Sequence, residues 1–244
     1  MSADTLYGVH AIERLLKQSP HLIYQVVFCE GRLNPRQQNL LQQAQVLGVK
    51  TRVESKAFFN KLDGAHQGVM AEVAPQAEFS EADLVELVTQ NTQALILFLD
   101  EVQDPHNLGA ILRTADAAGV DAVVIPKNNS VGLNATVRKV ACGAAETVRL
   151  VAVTNLSRTL NSLQQAGLWV VGLAGETDKT IYQASFSGRL GLVLGAEGSG
   201  LRHLTRQHCD EVVAIPMLGV VESLNVSVAN GVVLYEVLRQ RGKV

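Results

Sequence analysis

Three short blocks concentrate the polar chemistry of this chain: Asn107-Leu-Gly-Ala-Ile-Leu-Arg113, Leu194-Gly-Ala-Glu197-Gly-Ser-Gly200 and Ser223-Leu224-Asn225-Val-Ser227. Each sets a few polar side chains where an apolar run gives way to a helical pattern. In open α/β sheets that is where ligands bind, in the crevice at the carboxyl ends of the strands. One block would say little, but three from distant segments imply a single polar site. Arg113 stays protonated under all ordinary conditions, so it suits electrostatic holding and not proton abstraction.

Each block also has a plainer reading. In the first, Leu108, Ile111, Leu112 and Ala115 recur at i, i+3, i+4 and i+7 and make a core-facing stripe. Gly109, Arg113 and Asp116 fall on another face, and Gly109, one turn before Arg113, leaves open space beside the guanidinium. Asn107 stands where an N-cap belongs. A surface Arg113–Asp116 pair with a capping Asn fits the same spacing. In the second, glycines let the backbone approach a ligand closely, although a glycine-rich turn is often only a turn. It is neither the dinucleotide pattern G-x-G-x-x-G nor a phosphate loop. Glu197 is the more telling residue, a carboxylate with little local reason to stand among glycines.

The third block opens the last helix, with Ser223 or Asn225 as its N-cap and Ser223, Ser227 and Asn230 on one stripe. Through Arg241 this helix carries Val226, Val228, Val232, Val233, Leu234, Val237 and Leu238 on more than one face. A deeply buried helix fits, and so does a homodimer interface. Leu234, Val237 and Leu238 supply more apolar surface than one internal face needs.

The elements that position these blocks follow from periodicity. From Ala94 onward, apolar runs at Ala94–Leu99, Ala122–Ile125, Val148–Val153, Trp169–Leu173, Gly191–Leu194 and Val212–Ile215 alternate with helix-like stretches. Strands apolar on both faces and separated by helices predict a parallel sheet covered on two sides. Before it, Tyr7–Gln18 and Gln37–Leu47 read as helices, and Ile23–Cys29 and Gly68–Ala74 as strands. The organisation expected is a small α/β domain over 1–74, a polar, acidic linker with room for one helix over 75–91, and the larger domain over 92–244.

Composition closes off several classes. With 244 residues, 47% hydrophobic and 18% charged, the chain is globular and not disordered. No apolar run approaches the roughly 20 residues that span a membrane, and the start, Met1-Ser-Ala-Asp-Thr, shows no secretory signal. Cys29, Cys142 and Cys209 show no C-x-x-C pairing and read as reduced thiols of a cytoplasmic protein. The six histidines include no zinc spacing, H-E-x-x-H or Ser-His-Asp order, so no metal is expected. A net charge of −2 means that any nucleic-acid contact comes from a local patch and a specific fit.

The three blocks resemble the signature motifs of the SpoU class of the SPOUT superfamily, RNA ribose 2′-O-methyltransferases that use S-adenosylmethionine. The resemblance runs through roughly residues 94–241. The N-terminal part, with His66-Gln67-Gly68-Val69, is similar to the small RNA-binding domain of bacterial enzymes that methylate a guanosine ribose in 23S ribosomal RNA. It implies a C-terminal segment threaded as a deep trefoil knot and a homodimer formed through the last helix. It also implies catalytic roles for Asn107, Arg113, Glu197, Ser223 and Asn225. S-adenosylmethionine is expected against backbone around Gly175, Gly195, Ile215, Met217 and Leu224. Within this class a transfer-RNA substrate is the rival, and outside it a noncatalytic RNA-binding assembly protein. A nucleotide-dependent oxidoreductase would want the missing dinucleotide pattern.

Overall fold

The computed structural model describes residues 4–62, 66–74, 79–196, 198 and 200–244. The chain divides into two compact units, one through residue 77 together with residues 142–147, the other comprising 78–141 and 148–244.

In the smaller unit the order is β1 (Asp4–Tyr7), α1 (Val9–Gln18), β2 (Ile23–Cys29), α2 (Pro35–Val46), β3 (Lys50–Glu54), α3 (Lys56–Phe59) and β4 (Val69–Val73). The strands form one sheet in the order β1-β4-β2-β3, with β2 and β3 parallel and the other pairs antiparallel. Ile12 and Leu16 of α1 and Leu40 and Ala44 of α2 bury one face against Val26, Phe28, Val69 and Ala71. Val27, Met70 and Phe59 bury the other. The periodicity reading contains neither β1 nor β3. Both are edge strands, and β3 is almost wholly exposed and carries Lys50, Arg52 and Glu54, so it has no apolar alternation to read. The block His66-Gln67-Gly68-Val69 is a tight turn into β4. Gln67 and Gly68 take left-handed φ of 49° and 73°, and the Gly68 N–H donates to Nδ1 of His66 at 3.0 Å.

The larger unit runs α4 (Glu81–Gln90), β5 (Leu95–Asp100), α5 (Pro105–Ala118), β6 (Ala122–Pro126), α6 (Ala135–Ala141), β7 (Leu150–Val153), α7 (Leu156–Gln165), β8 (Trp169–Leu173), β9 (Leu190–Gly195), α8 (His203–Gln207), β10 (Glu211–Val213) and α9 (Val226–Gln240). Its sheet has six strands in the order β10-β8-β9-β5-β6-β7, every neighbouring pair parallel. Successive side chains of a strand point to opposite faces, so an apolar run such as Leu95–Leu99 buries both. Ile96 and Phe98 pack with Leu84 and Val88 of α4 and Leu156, Leu160 and Leu163 of α7. The acidic stretch read as a linker thus contributes two wholly buried side chains to this core. The helix α5 packs against α6 and α9.

Candidate active site

The first block lies on α5. Asp104, not Asn107, is the N-cap: its side chain accepts the His106 N–H at 3.0 Å, Pro105 opens the helix, and Gly119 ends it at a left-handed φ of 70°. Asn107 sits inside the first turn and is buried, 7% exposed. The open space expected beside Gly109 is also corrected. A Cβ there would meet Cβ of Val140 at 2.7 Å and the Val137 carbonyl at 3.0 Å, so this glycine admits the neighbouring chain of α6. Arg113, two turns along, is exposed.

The third block caps α9. Oδ1 of Asn225 accepts the Ser227 N–H at 2.9 Å and its hydroxyl at 2.6 Å, while Nδ2 carries the donor side of the amide. That amide donates to Oδ1 of Asn107 at 2.9 Å. The first and third blocks therefore meet. Ser223 precedes the helix and does not cap it.

The second block begins at the carboxyl end of β9. It borders a cavity of about 540 Å³ that opens at the carboxyl ends of β8, β9 and β10. Gly175, Gly195, Ile215, Met217 and Leu224 all line it, as does Ser223. Leu173, Leu194 and Leu201 add apolar wall, and Glu176 and Arg206 form an ion pair at 3.1 Å on its border. Gly195 is forced by close approach: a Cβ would fall on the backbone of Gly200, whose N–H donates to the Ala196 carbonyl at 3.0 Å. Glu197 lies outside the described residues. Asn107, Arg113 and Asn225 do not line this cavity.

Sequence reasoning missed the pair that anchors the turn. Asp100, the last residue of β5, is 1% exposed and receives the Arg202 backbone N–H at 3.1 Å and its Nε at 2.7 Å, while Nη1 reaches Glu101 at 3.0 Å. Burial opposes the Arg202 cation, but the bond and charge of Asp100, helped by Glu101, outweigh it and hold its pKa above the ordinary value. The available signal was a carboxylate closing an otherwise apolar strand. Cys209 is an inert thiol, pushed up to about 12 by burial and then by the charge of Asp210. Among the described residues no group of three His, Cys, Asp or Glu could hold a metal.

The last helix differs from expectation in its burial. Leu234, Val237 and Leu238 are all buried within the chain's own core, so they supply no surplus surface. The apolar side chains α9 leaves outward are Val228 and Tyr235, with half-buried Val232 between them at helical spacing.

A parallel sheet with a glycine-rimmed cavity of mixed polar and apolar lining at its carboxyl edge, together with an amide-linked pair of motif residues, defines a ligand-binding α/β fold. The sequence profile described as the SpoU rRNA Methylase family matches residues 94–235, and one described as RNA 2'-O ribose methyltransferase substrate binding matches residues 5–79. The chain belongs to the SpoU rRNA methylase family. It is 55% identical over 240 residues to the 23S rRNA (guanosine-2'-O-)-methyltransferase RlmB of Pseudomonas aeruginosa, covering 98% of this chain and 97% of that protein. To the protein of the same name from Escherichia coli (strain K12) it is 50% identical over 241 residues, 98% and 99% of the two chains. Its fold resembles that of the SpoU methyltransferase AviRb from Streptomyces viridochromogenes, solved in complex with AdoMet. The TM-score is 0.75 at 21% identity, covering 98% of this chain and 91% of that one.

Proposed function

We infer that this chain transfers a methyl group from S-adenosylmethionine to the ribose 2′-hydroxyl of a guanosine in 23S ribosomal RNA. The observation that carries the reading is the 540 Å³ cavity, lined by all five residues expected to hold the cofactor. Its leucines, Ile215 and Met217 suit the flat adenine, and its glycine backbone suits close contact with polar edges. When bound, the cofactor supplies a methyl group made electrophilic by the positive sulfur that carries it.

A ribose hydroxyl attacks poorly until its proton leaves, so the residues have two tasks, alignment and stabilisation of charge on the 2′-oxygen. Arg113 holds an RNA phosphate or that oxygen electrostatically. A phosphate oxygen or a water takes the proton, since a guanidinium does not. Asn107 and Asn225, locked to each other, fix the loop that carries Ser223 and Leu224, and Glu197 orients the ribose or the neighbouring loops. Gly175, Gly195, Ile215, Met217 and Leu224 would hold the cofactor, which would supply the methyl group to the 2′-oxygen and leave as the demethylated thioether.

Residues 1–74 supply RNA binding, 75–91 connect while their helix α4 packs into the larger core, and 92–244 carry the transfer, with the C-terminal segment threaded as a trefoil knot. Two copies pair through the outward face of α9, beside which Leu218 and Val220 are fully exposed and Val221 largely so. A ribosomal RNA substrate places the reaction in the cytoplasm, and no helix among the described residues is long and apolar enough to cross a membrane. The test is tritium transfer from labelled S-adenosylmethionine to 23S ribosomal RNA lacking its modifications. Label on one guanosine ribose is expected, and label only on transfer RNA, or none, overturns the reading.

A further inference from the structure

The carboxyl edge of the six-stranded sheet holds a second cavity, of about 560 Å³, that none of the three motif blocks lines. It opens where β6 ends at Pro126 and where the chain leaves β7 at Thr154, and α8 closes one side with His203, Leu204 and Thr205. The helix α8 stands between the two cavities, since Leu201 and Arg206 line the first and Arg202–Thr205 line the second. Adjacent strands lie about 4.8 Å apart, so β9 at the first cavity and β6 at the second, with β5 between them, are roughly 10 Å apart.

The lining combines apolar surface with amides, hydroxyls and one cation, Arg202. Asn128 and Asn155 contribute amides and Ser157 a hydroxyl, over an apolar floor that includes Leu156. Oδ1 of Asn155 already caps α7 by accepting the Arg158 N–H at 3.0 Å, so only its N–H groups remain to offer. The one cation, Arg202, is committed to Asp100 and Glu101 through Nε and both terminal nitrogens. Among the described residues no carboxylate lines the cavity, and His203 is the one metal-ligating side chain there. An anion would find no uncommitted positive charge here, and a metal too few ligands. What fits is a flat, neutral molecule with hydrogen-bonding edges. Unpaired nucleobases are read in this way, by stacking on aromatic or imidazole rings and by bonds to their edges.

We propose that this cavity receives an unpaired base of the RNA substrate, one or two nucleotides from the ribose that is methylated. His203 stacks on the base, and Asn128 and Asn155 bond its edge. This rests on the RNA methyltransferase reading above. Asn128, Asn155 and His203 are all exposed, so their amides and ring are open to an incoming base.

The test is direct binding of the full-length protein to a fluorescently labelled single-stranded ribohexamer of mixed sequence, and to the same sequence locked in a duplex. Three variants are compared: Asn128→Ala, His203→Ala, and Ser157→Phe, which fills the cavity without removing either group. Each should weaken hexamer binding about tenfold or more, as expected when one base loses its stacking platform. The duplex should bind less well than the single strand, and S-adenosylmethionine affinity and melting temperature should stay unchanged. Equal hexamer binding by the variants overturns the proposal, as it would if the occupant were a protein segment. So does a preference for the duplex, or a parallel loss of S-adenosylmethionine binding. If the wild type binds the hexamer in this variant-sensitive manner yet transfers no methyl group to ribosomal RNA, the methyltransferase reading fails and the cavity assignment stands.

Discussion

Nδ2 of Asn225 donates to Oδ1 of Asn107 across 2.9 Å, which ties the cap of α9 to the first turn of α5 although 118 positions separate them. Because Oδ1 of Asn225 is already occupied by Ser227, the polarity of the link is fixed, with one amide donating and the other accepting. Asn225→Asp separates the two jobs. The carboxylate keeps the cap, and a helix N-terminus favours negative charge, so stability should change by less than about 1 kcal/mol. The donor to Asn107 is lost, and methyl transfer should fall at least tenfold. Urea denaturation alongside single-turnover transfer checks both, and unchanged turnover would contradict the positioning role.

Arg113→Ala should cost about 10²–10³ in transfer rate, the usual effect of removing one group that stabilises developing charge. Its side chain is exposed, so the circular dichroism spectrum and melting temperature should match the parent's. Near-normal turnover would reduce Arg113 to a surface residue.

Gly195→Ala should abolish S-adenosylmethionine binding. The added methyl falls on the Gly200 backbone, which cannot yield as a flexible side chain would, so the whole turn must shift. Calorimetric titration reads the outcome. Retained affinity would show that the turn does not shape the cavity.

Acid should destabilise the chain partly through α9. Glu236 is buried and accepts from Nε and Nη2 of Arg239, both at 2.8 Å, and from Gln240 at 2.8 Å. The hydrogen bond from Arg239 outweighs burial and holds this carboxyl below its ordinary value of about 4.5. A lowered folded-state pKa means stability that is fully present above the ordinary value and lost as pH falls through the lower one. Glu236→Gln should therefore flatten the pH dependence of the urea midpoint below about pH 5. An unaltered acid limb would remove Glu236 from the account.

Tyr235→Asp, on the outward face of α9, should yield monomers in sedimentation at micromolar concentration while leaving the protomer folded. Dimers that persist would place the contact elsewhere.

Much of this site was legible in the sequence because its chemistry sits in contiguous blocks. Gly195, Ile215, Met217 and Leu224, which the resemblance to the SpoU family singles out, all border the cavity, at or just after strand ends or before a helix start. What stayed hidden depends on pairing across the sheet. Asp100 and Arg202 are 102 residues apart, and nothing in either neighbourhood announces the other. Gly109 was misread for the same reason: its missing side chain makes room for Val140, a residue no local pattern connects to it. The surplus seen on α9 was not surplus, because a helix packed against both α5 and the sheet buries more than one stripe.

The position of β9 has a consequence for biosynthesis. It lies fifth among the six strands of the larger sheet in chain order, yet it sits between β8 and β5 and joins the two halves. Until residue 195 has left the ribosome, β5 presents one unpaired side and β8 has no partner on either side, the kind of open backbone that recruits other chains. Pairings of such long sequence separation also form slowly. A nascent chain truncated before β9 would therefore hold one three-stranded fragment, β5-β6-β7, and a lone β8, and the cofactor cavity, bounded by β8, β9 and the segment after β10, could not begin to form. The cofactor site therefore cannot be complete until the chain through Ala229 has emerged.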